Sequence, residues 1–118
     1  MINNKKLGTA FERELCEILG EKGYWVHFIS PDSRGAQPFD IIAVRAGMAL
    51  AIDCKTSVKH IFPFSRLEDN QVYAFEKWIA CGNDEPMIAV KYQDNIYMIP
   101  YSKLKEELKI DLREWKCL

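Results

Sequence analysis

Asp40, Asp53 and Lys55 are the residues of this sequence whose types and spacing could carry hydrolytic chemistry. They fall in two strand-like runs, Phe39 to Arg45 and Met48 to Lys55, broken only by Ala46-Gly47, which suits a two-residue hairpin turn. With those two in the turn, cross-strand partners have numbers that add to 93, which sets Asp40 opposite Asp53. Opposed side chains have Cβ atoms about 4.5–5.5 Å apart, so two carboxylates there repel unless something positive sits between them. Lys55 points to the same face, because side chains alternate along a strand. That face also carries Ile42, Val44, Ala49 and Ala51, and the other carries Phe39, Ile41, Ala43, Leu50 and Ile52. A hairpin apolar on both faces belongs in the middle of a sheet, where two acids and a lysine are costly to hold without a use.

Such a cluster suits a hard divalent cation, magnesium or manganese, which takes oxygen ligands from carboxylates, a backbone carbonyl such as that of Cys54, water and a substrate phosphate. The chemistry implied is metal-assisted attack of water on a phosphodiester, with Lys55 orienting the water or stabilising developing charge. A plainer reading makes Lys55 the structural counter-ion of Asp53. The tripeptide alone does not separate the two, since an acid two residues before a lysine recurs at Glu107 and Glu114. The second acid, Asp40, favours the metal.

The elements that must position these groups follow from periodicity. Leu7, Phe11, Leu15, Ile18 and Leu19 recur at helical spacing ahead of Gly23, predicting a helix from about Leu7 to Lys22. Tyr24 to Ile29 reads as a strand, followed by a loop of turn formers from Ser30 to Gly35. Ser65 and Glu68 form a capping-box pattern for a second helix that runs to Gly82-Asn83. Met87 to Tyr92 and Ile96 to Ile99 form a second hairpin around Gln93-Asp94-Asn95, closed by Pro100, and a short helix runs from Ser102 to about Leu108. The order α-β-β-β-α-β-β-α, without linker or repeat, predicts an α/β fold with a mixed central sheet flanked by helices, one domain over residues 1–118.

Composition restricts the classes further. In 118 residues, 48% hydrophobic and 28% charged with 6 Gly and 5 Pro describe an ordinary globular chain. No apolar run approaches the roughly 18 residues of a membrane span, and the polar stretch from Met1 to Lys6 carries no secretion segment, so the expected compartment is the reducing cytoplasm. Cys16, Cys54, Cys81 and Cys117 contain no C-x-x-C pair, which argues against structural zinc, and His27 and His60 lack ligand spacing. The net charge of −1 divides unevenly. Residues up to Arg66 carry 9 Lys/Arg against 7 Asp/Glu, and the remainder 7 against 10, so a polyanion would favour the first half. Lys5, Lys6, Arg13, Arg34, Lys59 and Arg66 are its candidate phosphate contacts.

Phe39-Asp40-Ile-Ile-Ala, a hairpin and then Ile52-Asp53-Cys54-Lys55 resemble the core of the PD-(D/E)XK nuclease superfamily. Gly8-Thr-Ala-Phe-Glu12-Arg13-Glu14-Leu15 resembles the opening of Holliday junction resolvases of the Hjc and RecU types, and Phe62-Pro63-Phe64 with Gln71 resembles RecU. The resemblance spans about Gly8 to Lys103 and implies a restriction-endonuclease-like fold. It implies a magnesium-dependent endonuclease acting on four-way DNA junctions as a homodimer. It further implies a metal site of Glu12, Asp40 and Asp53, with Lys55 catalytic and Gln71 directed toward the site. Helical geometry alone does not choose Glu12, because both Glu12 and Glu14 flank the apolar stripe and Glu14 lies somewhat nearer its centre; the match to the Glu-Arg dipeptide favours Glu12. A nicking, repair or restriction-like nuclease of the same chemistry, and a non-cleaving DNA-binding module of the same fold, are the other readings.

Overall fold

The computed structural model describes residues 4–29 and 38–118, with side chains from Ala10 onward. Helix α1, Asn4–Glu21, buries Phe11, Leu15 and Leu19 on one stripe. It ends at Gly23, whose φ of +93° lets the Tyr24 and Gly23 N–H groups reach back to the Leu19 and Gly20 carbonyls. Strand β1 (Trp25–Phe28) pairs antiparallel with β2 (Ile41–Arg45), which turns into β3 (Met48–Ser57). Ala46 and Gly47 both have positive φ, 53° and 78°, as a tight hairpin with the right twist requires.

A three-residue strand β4 (Ile61–Pro63) and a single 3₁₀ turn lead to helix α2 (Asp69–Ala80). The hairpin of β5 (Met87–Tyr92) and β6 (Asn95–Pro100) follows, then helix α3 (Tyr101–Glu107) and β7 (Lys109–Asp111). The main sheet has the order β1-β2-β3-β5-β6, with β3 and β5 parallel and every other pair antiparallel. Joining parallel strands demands a crossover, and α2 lies within it. The stripe of α1 packs on Ile41, Ala43, Ile52 and Ala89 on one face. Phe75 of α2, with Tyr101 and Leu104 of α3, packs on Ala51, Ile88, Val90 and Ile99 on the other. The mixed sheet flanked by helices is therefore the one expected.

Two expectations change. The helix box is not Ser65–Glu68: Phe64–Arg66 form the 3₁₀ turn, Leu67 is buried, and Gln71 reaches back to the Glu68 N–H, which starts α2 three residues later. Strands β4 and β7, which form a second two-stranded sheet, were not expected, because three-residue pairings leave no periodicity to read.

One inequality of length positions everything that follows. Strand β3 has 10 residues and β2 only 5, so the ladder between them ends at the Ile41–Ile52 pair. From Asp53 to Ser57, β3 pairs with β5, and among the described residues no strand pairs with its other flank.

Candidate active site

Asp40 stands where β2 fails to continue. Its N–H donates to the Ile52 carbonyl at 2.9 Å and its carbonyl accepts from the Ile29 N–H at 2.9 Å, so the backbone is held from both neighbouring strands. The expected Asp40–Asp53 ladder pair is thus corrected: the register adding to 93 holds as far as Ile41–Ile52, and Asp40 meets Ile52 with its N–H instead of extending the ladder. Its side chain does the extending. Asp40 Oδ2 accepts from the Cys54 N–H at 2.8 Å, satisfying a donor that β2 is too short to reach. A hydrogen bond to an ionised acceptor is worth about 1.5–3 kcal/mol, enough to hold this carboxylate against β3. The Cys54 carbonyl points to the same open flank as its N–H, as extended backbone dictates.

Asp53 is 2% exposed. Its Oδ1 accepts from Gln71 Nε2 at 2.8 Å, while Oδ2 has Lys55 Nζ at 3.5 Å, an ion-pair distance without a hydrogen bond. That buried oxygen has no hydrogen-bond partner among the described residues. Burial pushes the Asp53 carboxyl up to about 8, the nearby Lys55 ammonium opposes this, and the Asp40 charge adds to it. Gln71 is the hinge of the cluster. Its Oε1 accepts from Lys55 Nζ at 3.1 Å and from the Glu68 N–H at 3.0 Å, which turns its amide nitrogen toward Asp53. Gln71 is buried, and its one amide joins the first turn of α2 to the acid and the lysine of β3.

Glu12 comes from the opposite face. It is half-buried on α1, and its carboxyl is raised to about 7, first by burial and then by the Asp40 charge. Glu14, which helical spacing sets nearer the apolar stripe, is instead exposed and ion-paired to Lys91 at 2.6 Å. The Cys54 side chain lies on the Glu12 side, its thiol driven well above the usual range by burial and by Asp40, Glu12 and Asp53, and so uncharged. Among the described residues, no three His, Cys, Asp or Glu side chains are gathered as a ready metal cage. The oxygen set consists of the Asp40 and Asp53 carboxylates and the Cys54 carbonyl, with Glu12 across from them.

Of the expected phosphate contacts, Arg13 and Lys59 are exposed, whereas Arg66 is tied down, its Nη2 donating to the Thr56 carbonyl at 2.9 Å and its guanidinium lying over Phe62. The Lys5 and Lys6 side chains and Arg34 lie outside the described residues. No described helix is long and apolar enough to cross a membrane. The sequence pattern places Glu68 at the far end of a box begun by Ser65; in the structure Glu68 is itself the cap, and its N–H donates to Gln71 Oε1.

The model of the archaeal Holliday junction resolvase (Hjc) family matches residues 3–114. The chain belongs to this family. Among its relatives, the crossover junction endodeoxyribonuclease Hjc of Methanocaldococcus jannaschii is 29% identical over 99 residues, covering 84% of this chain and 69% of the relative. The crossover junction endodeoxyribonuclease Hje of Sulfolobus acidocaldarius is 30% identical over 94 residues, covering 77% and 66%. The fold matches that of Archaeoglobus fulgidus Hjc, a Holliday junction resolvase, with a TM-score of 0.69 at 21% identity, over 90% of this chain and 88% of the other. This Hjc-family chain thus spans about two thirds of the curated relatives' length, and the family match includes every element that bears Glu12, Asp40, Asp53, Lys55 and Gln71.

Proposed function

We propose that this chain is a divalent-metal-dependent endonuclease that hydrolyses phosphodiesters of four-way DNA junctions. The observation that carries the chemistry is the buried, unpartnered Oδ2 of Asp53 at the open flank of β3, within 3.5 Å of Lys55 Nζ and beside the Asp40 carboxylate. An orphaned carboxylate oxygen is costly unless something positive completes it. Asp40, Asp53 and the Cys54 carbonyl, with Glu12, are hard oxygen donors that fit magnesium or manganese better than a soft ion. When bound, that cation supplies charge neutralisation at the phosphate and an acidified water.

The chain's own residues do the rest. Lys55 Nζ, oriented by Gln71 Oε1, donates toward the attacking water or a phosphate oxygen, and Gln71 Nε2 keeps Asp53 Oδ1 engaged so that Oδ2 faces the site. Family membership and the names of the relatives support branched DNA as substrate. Two copies related by a two-fold axis would place one site on each of two strands, which paired incision requires. Incubating the protein with matched four-way, nicked and linear DNA, with magnesium or with EDTA, tests this. Magnesium-dependent incision of the junction is expected; cleavage that persists in EDTA, or none on any DNA, overturns it.

A further inference from the structure

Beyond the catalytic cluster, and resting on the reading of the chain as a DNA nuclease, we propose that Lys91 is a phosphate contact and that Glu14 is its built-in competitor. Lys91 on β5 pairs with Thr56 on β3, one residue past Lys55. Strand alternation turns Thr56 and Lys91 to the face of α1, opposite Lys55. There Lys91 Nζ lies 2.6 Å from Glu14 Oε2 and 5.9 Å from the centre of the Phe11 ring. Phe11, Glu14, Thr56, Ser57, Lys91 and Gln93 line an open groove of about 390 Å³ at the mouth of the strand end that bears the site.

The ion pair has a poor structural rationale. Lys91 is 28% exposed and Glu14 44%, and exposed pairs contribute about 0–1 kcal/mol. Phe11 and Leu15 already anchor this stretch of α1 in the core. The pair therefore exchanges easily, and what can replace Glu14 Oε2 on the ammonium is another anionic oxygen. The hydroxyls of Thr56 and Ser57 and the amide of Gln93 offer further donors along the same groove. Lys55 and Lys91 sit on adjacent strands one residue out of step and face opposite sides of the sheet, so a backbone phosphate at Lys91 is a different one from the phosphate at Lys55. DNA that seats there displaces Glu14, and the released carboxylate repels it. Weak, non-specific duplex binding is thereby penalised, which suits a chain whose net charge is −1.

The test is binding of a labelled four-way junction in EDTA between about 50 and 200 mM salt, for the full chain and four variants. Lys91→Ala should weaken binding several-fold and reduce the salt slope by about 0.9, the value of one phosphate contact. Lys91→Arg should retain affinity. Glu14→Gln should tighten binding about two- to fivefold, as loss of an exposed ion pair allows. At the higher salt, where unpaired surface charges are screened, Glu14→Gln should gain nothing when combined with Lys91→Ala. Equal tightening in both backgrounds, or an unchanged slope in Lys91→Ala, overturns the proposal. The unmodified chain separates the two readings: if it binds and cuts DNA while Lys91 is inert, only this inference falls, and if it binds no DNA, both do.

Discussion

The protonation of Asp53 and Glu12 governs how the free protein responds to pH. Both carboxyls are raised, Asp53 from an ordinary 3.8 to about 8 and Glu12 from 4.5 to about 7, chiefly by burial. Across that window the folded chain holds protons that the unfolded chain has released, so the stability these two groups contribute is full below about pH 4 and is lost as pH climbs toward 8. Thermal melts in EDTA should show this decline, and Asp53→Asn should flatten it while abolishing cleavage with magnesium present. A variant that cleaves normally, or that leaves the pH slope unaltered, would remove Asp53 from this role. Asp40 separates its two duties by substitution. Asp40→Asn keeps an acceptor for the Cys54 N–H and should lose cleavage at little cost in stability, whereas Asp40→Ala should also lose about 1–3 kcal/mol by stranding that donor. Equal melting temperatures for the two variants would show that the strand cap carries no weight.

At the scale of elements, the site exists because β3 outruns β2 and because the first turn of α2 lies over the overhang. The hairpin and its register were legible, because Ala46-Gly47 set the pairing and the alternating apolar faces put the hairpin inside the sheet, but the overhang was not. What could not be read was the departure at Asp40, since a ladder that ends early is decided by where backbone donors find acceptors, which no side-chain pattern encodes. Gln71 was recognisable only through resemblance; its burial follows from Phe75 one turn later packing on Phe39 and drawing that side of α2 onto the sheet. Glu12 was likewise chosen by resemblance, against helical spacing; in the structure Glu12 is half-buried and Glu14 leans outward to Lys91. Strands β4 and β7 were too short to announce themselves. The double duty of Gln71 gives a test at this scale. Gln71→Ala should weaken α2 by about 1 kcal/mol and lower single-turnover cleavage, whereas Gln71→Glu keeps acceptors for Glu68 and Lys55 but turns a carboxylate on Asp53. Both should cut poorly, and only the first should lose helix stability; a Gln71→Glu protein that cuts at the full rate would leave the amide as a helix cap and nothing more.

For the whole molecule, the question is how a chain of 118 residues and net charge −1 selects one DNA shape. Long-range attraction is weak at that charge, so affinity has to come from local contacts made together, for which the exposed Arg13 and Lys59 and the proposed contact Lys91 are the candidates. No described helix is free to enter a major groove as a reading head: α1 and α2 each bury one face on the sheet, and α3 has only 7 residues. Geometry is then the remaining source of selectivity, and a two-fold pair of sites matches the symmetry of a four-way junction as it cannot match an isolated duplex. The expected outcome is a sedimentation mass twice that of one chain, together with faster cutting of a four-way junction than of linear duplex of identical sequence. Raising salt from about 50 to 200 mM should weaken junction binding while preserving the order of preference, because the phosphate contacts are screened and the fit of two sites to two strands is not. A monomer that cuts both DNAs at one rate would overturn the paired-site account, and Asp40, Asp53 and Lys55 would then serve a nuclease that reads no branch.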